Sequence, residues 1–201
     1  MFIATSTYHV AFCSEDTDMF IKPPKKLLHL AGKAIAQFNM IRADDKVLVA
    51  VSGGKDSLTL LQALLHFQRH APIRFELAVI TIDPQSEDFD PSPLKTHMQQ
   101  LGVEYFYVSE PIVRLAAEHM KKDSFCAFCS RMRRGLMYKT MRQNHFNVLA
   151  LGQHLDDLAE SFLMSALHGG QLKTMKAHYI NDDRDLRIIR PFVYVRERQL
   201  R

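Results

Sequence analysis

Ser52-Gly53-Gly54-Lys55-Asp56-Ser57 is the stretch of this chain best equipped for chemistry on a polyanion. Two adjacent glycines let backbone N–H groups approach phosphate oxygens closely, and a helix beginning there adds its positive dipole end. Lys55 supplies a point charge, and Ser52 and Ser57 supply hydroxyl donors. The stretch is not a Walker loop, which needs four residues between its glycines.

A second constellation is Gly152-Gln153-His154-Leu155-Asp156-Asp157. Asp156 and Asp157 fall in the first turn of an expected helix, where a carboxylate is favoured by the dipole, can cap the helix, or can hold Mg2+ through oxygen. A third is Cys126-Ala127-Phe128-Cys129, a C-x-x-C pair open to reading as a redox dithiol, half a zinc site, half an iron-sulfur site or an incidental pair. A redox pair would normally follow a strand directly, and this one follows Lys121-Lys122-Asp123. Beyond it Arg131, Arg134, Tyr138 and Arg142 recur as one helical stripe, cations with an aromatic among them, which suits phosphates and a stacked base or else a solvated surface.

The elements that must carry these residues follow from periodicity. Helical spacing runs from Leu27 to Phe38, from Leu58 to about His70, from Leu94 to Leu101, from Ile112 to Met120 and from Phe128 to Asn144. A further helix runs from Leu155 to Gly169-Gly170, with Leu155, Leu158, Ala159, Phe162, Leu163 and Ala166 as its apolar face. Short continuous apolar runs at Val47–Val51, Leu77–Ile82, Val103–Val108 and Asn147–Leu151 read as strands covered on both faces. Alternation of these elements predicts an α/β fold, a parallel sheet with helices on both faces, with ligands beyond the C-terminal strand ends. Ser52–Ser57, Asp83 and Gly152–Asp157 are all expected at such ends. Residues 1–25 read as a loosely held arm, and 26–201 as the domain.

Composition narrows the class. At 201 residues, 47% hydrophobic and 24% charged, the chain suits one soluble globular domain. It has no apolar run near membrane-spanning length and no secretory leader pattern, and its three cysteines do not make a disulfide scaffold, so a reducing cytoplasm is expected. Net charge is +4, yet the segment from His119 to His145 carries +6, which suggests a polyanionic partner larger than a nucleotide.

The loop Ser52–Ser57 resembles, residue for residue, the S-G-G-K-D-S loop of the PP-loop ATP pyrophosphatases, which cleave ATP between its α and β phosphates. With C-x-x-C, L-G-x-H-x-D-D, Gly169-Gly170, Ile189-Arg190-Pro191-Phe192 and Arg196-Glu197 in that order, the chain resembles the tRNA 2-thiocytidine synthetase family over roughly Lys26 to Arg201. The resemblance implies ATP-dependent 2-thiolation of cytidine 32 in tRNA, with ATP, Mg2+ and a [4Fe-4S] cluster as cofactors. Partners would be tRNA and a sulfur-donor protein such as a cysteine desulfurase, with no membrane, and with a homodimer as one compatible assembly.

Carried onto this sequence, Lys55, Asp56 and Asp156 would be catalytic. Ser52, Gly53, Gly54, Lys55, Asp56, Ser57, Asp83, Gly152 and Asp157 would bind the nucleotide, and Asp156 and Asp157 would hold Mg2+. Cys126 and Cys129 would hold the cluster, and Arg131, Arg134, Tyr138 and Arg142 the tRNA. Two departures stand out. Gln153 occupies a position where the family commonly has His, with His154 next. The family's third cluster cysteine lies beyond the R-P-x-x-Y-x-R-E stretch, leaving only the upstream Cys13, so a chain lacking the family's C-terminal segment is expected. Rival readings are a lysidine synthetase-like enzyme, a uridine thiolase, and a non-catalytic nucleotide- or tRNA-binding module.

Overall fold

The computed structural model describes residues 7–10, 20–87, 89–119 and 124–200. Cys13, Lys121, Lys122, Asp123 and most of the N-terminal arm lie outside the described residues. The chain divides into two compact units.

One unit holds Ile21–Leu77 and Phe146–Arg201. It contains α1 (Lys25–Gln37), β2 (Lys46–Ala50), α2 (Lys55–His70), β5 (Val148–Ala150), α6 (Leu155–Gly169), β6 (His178–Ile180) and β7 (Arg187–Ile189), and it ends in a 3-10 turn at Glu197–Gln199. Strand β2 pairs in parallel with β5, Leu48 opposite Leu149, and β5 pairs in parallel with β7, Leu149 opposite Ile188. Val47, Leu48, Val49, Leu149 and Ile188 are all buried, as a strand covered on both faces requires. Helix α2 buries Leu60, Leu61, Leu64 and Leu65, and α1 buries Leu27, Leu28, Ala31 and Ala34, both at steps of three and four.

The lower end of these strands is fastened by one buried carboxylate. Asp45 accepts hydrogen bonds from Arg42 N (2.6 Å), from Asn147 Nδ2 (2.9 Å) and from the Arg187 guanidinium, joining the entries of β2, β5 and β7. A buried charge is tolerated when paired in this way, and removing one partner is costly.

The other unit comprises Ala78–His145 with β1 (Thr7–Val10). It contains most of β3 (Glu76–Asp83), then α3 (Ser92–Leu101), β4 (Glu104–Ser109), α4 (Ile112–His119) and α5 (Phe125–Gln143). Strands β3 and β4 are parallel, with Ile80 opposite Phe106 and Asp83 opposite Ser109. Gly102, with φ of +62°, closes α3 as a left-handed cap, where glycine is favoured.

The expected α/β fold is present, but the sheet is mixed rather than wholly parallel. Strand β1 lies antiparallel to β4, within what reads from sequence as a loose arm, and β6 lies antiparallel to β7. Helix α5 begins at Phe125, three residues before the expected Phe128, so Cys126 joins Cys129 in its first turns. The apolar face expected on α6 is not buried. None of its residues is, and Leu163, Met164 and Leu167 are exposed. Among the described residues no helix is long and apolar enough to cross a membrane.

Candidate nucleotide site

The phosphate loop links β2 to α2, and its shape follows from its residues. Gly53 adopts φ of +91°, a conformation that a side chain disfavours, and Gly54 is the extended N-cap of α2. Ser57, buried beneath the loop, accepts from Ser52 N (3.2 Å) and donates its hydroxyl to Gly54 O (2.9 Å). That hydroxyl therefore shapes the loop, whereas Ser52, Gly53, Gly54 and Lys55 are exposed.

Gly152 follows β5 and rests against this loop. A Cβ there would meet Ser57 N at 3.2 Å and Asp56 C at 3.3 Å, backbone atoms that cannot swing aside. Gly152→Ala is expected to cost about 1–3 kcal/mol, the usual penalty for overpacking, read as a lower denaturant midpoint.

The next residues start α6. His154 is buried and is its N-cap. Asp157 N donates to His154 Nδ1 (3.4 Å), while His154 N donates to Asp157 Oδ2 (2.8 Å), a reciprocal capping box with histidine in the usual Ser/Thr place. The imidazole also stands between the two loops, its Nε2 3.9 Å from Asp56 Oδ2. Gln153 Oε1 accepts from the buried Arg190 Nε (3.0 Å), and Arg190 also donates to Lys176 O (2.6 Å), so the Arg of the R-P pair braces this segment.

Lys55 Nζ lies 3.0 Å from Asp56 Oδ1 and 3.4 Å from Oδ2, the latter in hydrogen-bonding geometry, and 3.1 Å from Glu197 Oε1. The pairing with Asp56 first, and with Glu197 second, raises the Lys55 pKa above its ordinary value, so the ammonium stays charged. Glu197 N in turn donates to Asp156 Oδ2 (2.7 Å). Thus Lys55, Asp56, His154, Asp156 and Glu197 form one connected polar group. A phosphate binding at Lys55 would have to displace Glu197, so Glu197→Gln is expected to bind inorganic pyrophosphate roughly two- to fivefold more tightly by calorimetry, the scale of an exposed ion pair.

In the other unit, Asp83 ends β3 with its carboxylate buried. It accepts from Gln85 N (2.7 Å) and from Tyr107 Oη. Burial, reinforced by the Asp83 carboxylate, pushes the Tyr107 phenol up to about 12. A phenol held above its unfolded value of about 10 contributes stability that is complete below pH of about 10 and is lost as pH climbs through about 12. Burial also raises the Tyr105 phenol, so ultraviolet titration should show phenolate transitions above the main tyrosine wave, with the one near pH of about 12 lost in Tyr107→Phe.

Cys126 is exposed and Cys129 half-buried, one turn apart at the start of α5, which Ser124 caps by accepting from Ala127 N (3.3 Å). Arg131, Arg134 and Arg142 are exposed along the same helix, with Tyr138 half-buried. Among the described residues no three His, Cys, Asp or Glu side chains are grouped to hold a metal ion. The two thiols suit soft metals and supply two ligands where a four-iron cluster usually takes three or four. For Mg2+, which is held by one or two carboxylates plus substrate phosphates, Asp156 and Asp157 are both candidate donors, each accepting one backbone N–H through Oδ2, from Glu197 and from His154 respectively.

His154, Glu197 and Tyr107 are the members of these groups that sequence reasoning missed. The H-x-x-D spacing of a capping box was a readable signal for the first. The other two depend on tertiary pairing.

A family model described as a PP-loop domain matches residues 26–201. The chain belongs to the PP-loop family. Among curated relatives, the tRNA-cytidine(32) 2-sulfurtransferase of Idiomarina loihiensis is 38% identical over 188 residues, covering 93% of this chain and 63% of that protein. The enzyme of the same name from Pseudomonas syringae pv. tomato is 40% identical over 180 residues, covering 89% and 66%. This PP-loop chain thus spans about three fifths of the length of the curated relatives it matches. Of solved structures, the U34-tRNA thiolase NcsA of Methanococcus maripaludis, described with its [4Fe-4S] cluster, superposes with a TM-score of 0.67 at 21% identity, covering 88% of this chain and 60% of that one. The NH3-dependent NAD synthetase of Campylobacter jejuni gives 0.52 at 14% identity, covering 88% and 69%. At these identities the two structures speak for the fold alone.

Proposed function

We propose that this chain is the ATP-using part of a tRNA 2-thiolation enzyme acting on cytidine 32. The observation that carries the reading is the connected group around Lys55, with the loop glycines, Asp56 and Asp156 gathered beside the N-terminus of α6. The likeness to the 2-sulfurtransferases over most of the chain supports the choice of substrate.

The C2 oxygen of cytosine is a poor leaving group, and adenylation makes it a good one. That oxygen attacks the α-phosphorus of ATP, the bond to the β-phosphate oxygen breaks, and pyrophosphate leaves. A sulfide equivalent then attacks C2, and AMP departs with the former C2 oxygen. Charge accumulates on the pyrophosphate in the first step. Lys55, released from Glu197, and the Gly53 and Gly54 amides would stabilise it there. Asp156, with Asp56 nearby, would hold Mg2+ on the phosphates. Ser52 would add a hydroxyl donor, and Ser57, Gly152 and Asp157 would support the site by fixing the loop and the helix start. Asp83, backed by the protonated Tyr107, would receive the nucleoside. Arg131, Arg134, Tyr138 and Arg142 would engage the tRNA, whose unpaired bases can be splayed out and stacked. Cys126 and Cys129 would be two ligands of a [4Fe-4S] cluster, which when bound supplies the sulfur-handling chemistry. The sulfur itself would come from a donor protein such as a cysteine desulfurase.

Incubation with tRNA, Mg-ATP and sulfide after anaerobic cluster reconstitution tests this. AMP and pyrophosphate should appear only when tRNA is present, with 2-thiocytidine in the digested tRNA by mass spectrometry. A thiouridine product would instead favour the uridine reading. Lysine-dependent AMP release with no sulfur incorporated would favour the lysidine reading, and neither AMP nor pyrophosphate would leave a binding module.

A further inference from the structure

The C-terminal turn that sends Glu197 to Lys55 sends its neighbours elsewhere. Arg196, Arg198 and Gln199 line a cavity of about 400 Å3 together with Lys26, Tyr194 and Leu155. Among the described residues its lining holds three cations, from the start of α1 and from the C-terminal turn, stretches far apart in sequence, and no carboxylate. The one acid between the two arginines, Glu197, has its side chain committed to Lys55 at 3.1 Å. Tyr194 forms an aromatic wall, and Lys33 Nζ stands 5.5 Å from its ring centroid, adding a fourth cation to the neighbourhood. Leu155, in the same wall, directly precedes Asp156.

We propose that this cavity is a second anion site, separate from the phosphate loop, that takes a phosphodiester of the RNA backbone. Three cations converging on one cavity match a strongly acidic phosphate, and the planar, fork-shaped donors of Arg196 and Arg198 fit its oxygens. The partly exposed tyrosine ring gives a flanking ribose or base a surface to rest on. The identification of the anion as RNA rests on the proposed function, but the readout below does not pass through catalysis.

The test is fluorescence anisotropy of a labelled anticodon stem-loop RNA across a salt series, with wild type, Arg196→Gln/Arg198→Gln and Lys26→Gln. Calorimetry with inorganic pyrophosphate runs in parallel. Binding of the double variant should weaken roughly tenfold, and its slope of log affinity against log salt should become shallower by about 0.7–0.9, as loss of one phosphate contact requires. Lys26→Gln, on a different element, should lower the slope by about half as much, and pyrophosphate binding should be unchanged in both. An unaltered slope in both variants overturns the proposal. So does parallel loss of pyrophosphate binding, which would assign the cavity to the nucleotide. Competition by polyglutamate as effective as by RNA would overturn it in favour of an acidic protein partner. If tRNA-dependent AMP release is absent while the salt slopes change as expected, the thiolation reading fails and the RNA site stands.

Discussion

Lys55→Ala is expected to lower tRNA-dependent AMP release by at least about a hundredfold, the usual scale for losing one preorganised donor to a developing oxyanion. Three observations make this the substitution with the largest expected effect. Lys55 is the cation of a loop whose shape is fixed independently of it, by Gly53 at φ +91° and by the Ser57 hydroxyl on Gly54 O. Its ammonium is exposed and kept charged by Asp56 and Glu197. Neither carboxylate can replace it against a phosphate. Because the side chain is exposed, thermal stability should stay near wild type, so the loss will not be a folding defect. Pyrophosphate binding should weaken with it. Near-normal AMP release in the variant would remove Lys55 from the chemistry.

Cys126→Ser should separate the two halves of the reaction. The polar group proposed to carry adenylation belongs to one unit and Cys126 to the other, on α5. AMP release should therefore stay within about twofold of wild type while 2-thiocytidine in digested tRNA falls to background, and the iron content should fall with it. Serine keeps the size of the side chain and offers a hard oxygen in place of a soft thiolate, so the substitution tests ligand chemistry rather than packing. Cys129→Ser should behave alike. Equal loss of AMP release and thiolation in both variants would contradict this division of labour.

Much of the candidate nucleotide site was legible because its signals are local. The glycine pair, the lysine and the strand before them fall within about a dozen residues, and Gly152 with Asp156 and Asp157 repeats that strand-to-helix logic. The alternation of short apolar runs with helical spacing predicts the α/β class, since β5 is buried throughout and β2 at its three central residues.

What escaped was short, edge-placed or dependent on distant partners. Strands β6 and β7 have three residues each, too few for any period, and are joined through a turn in which Asn181 Nδ2 donates to Asp185 Oδ1 (2.6 Å) and Arg184 takes φ of +59°. Strand β1 has four residues and pairs with β4, nearly a hundred positions away. Glu197 reads as one acid among arginines until the fold carries it to Lys55, across 142 positions. Asp157 adds a capping role that its position in the first turn already suggested, accepting from His154 N through one oxygen.

The central claim is that the C2 oxygen of a tRNA cytidine attacks the α-phosphorus of ATP. It is tested most directly by an anticodon stem-loop carrying 18O at C2 of cytidine 32, turned over with Mg-ATP and sulfide, followed by mass analysis of the AMP released. The account predicts one 18O in each AMP formed and none in the pyrophosphate. AMP without label, with the 18O retained in the RNA or found in water, would contradict it.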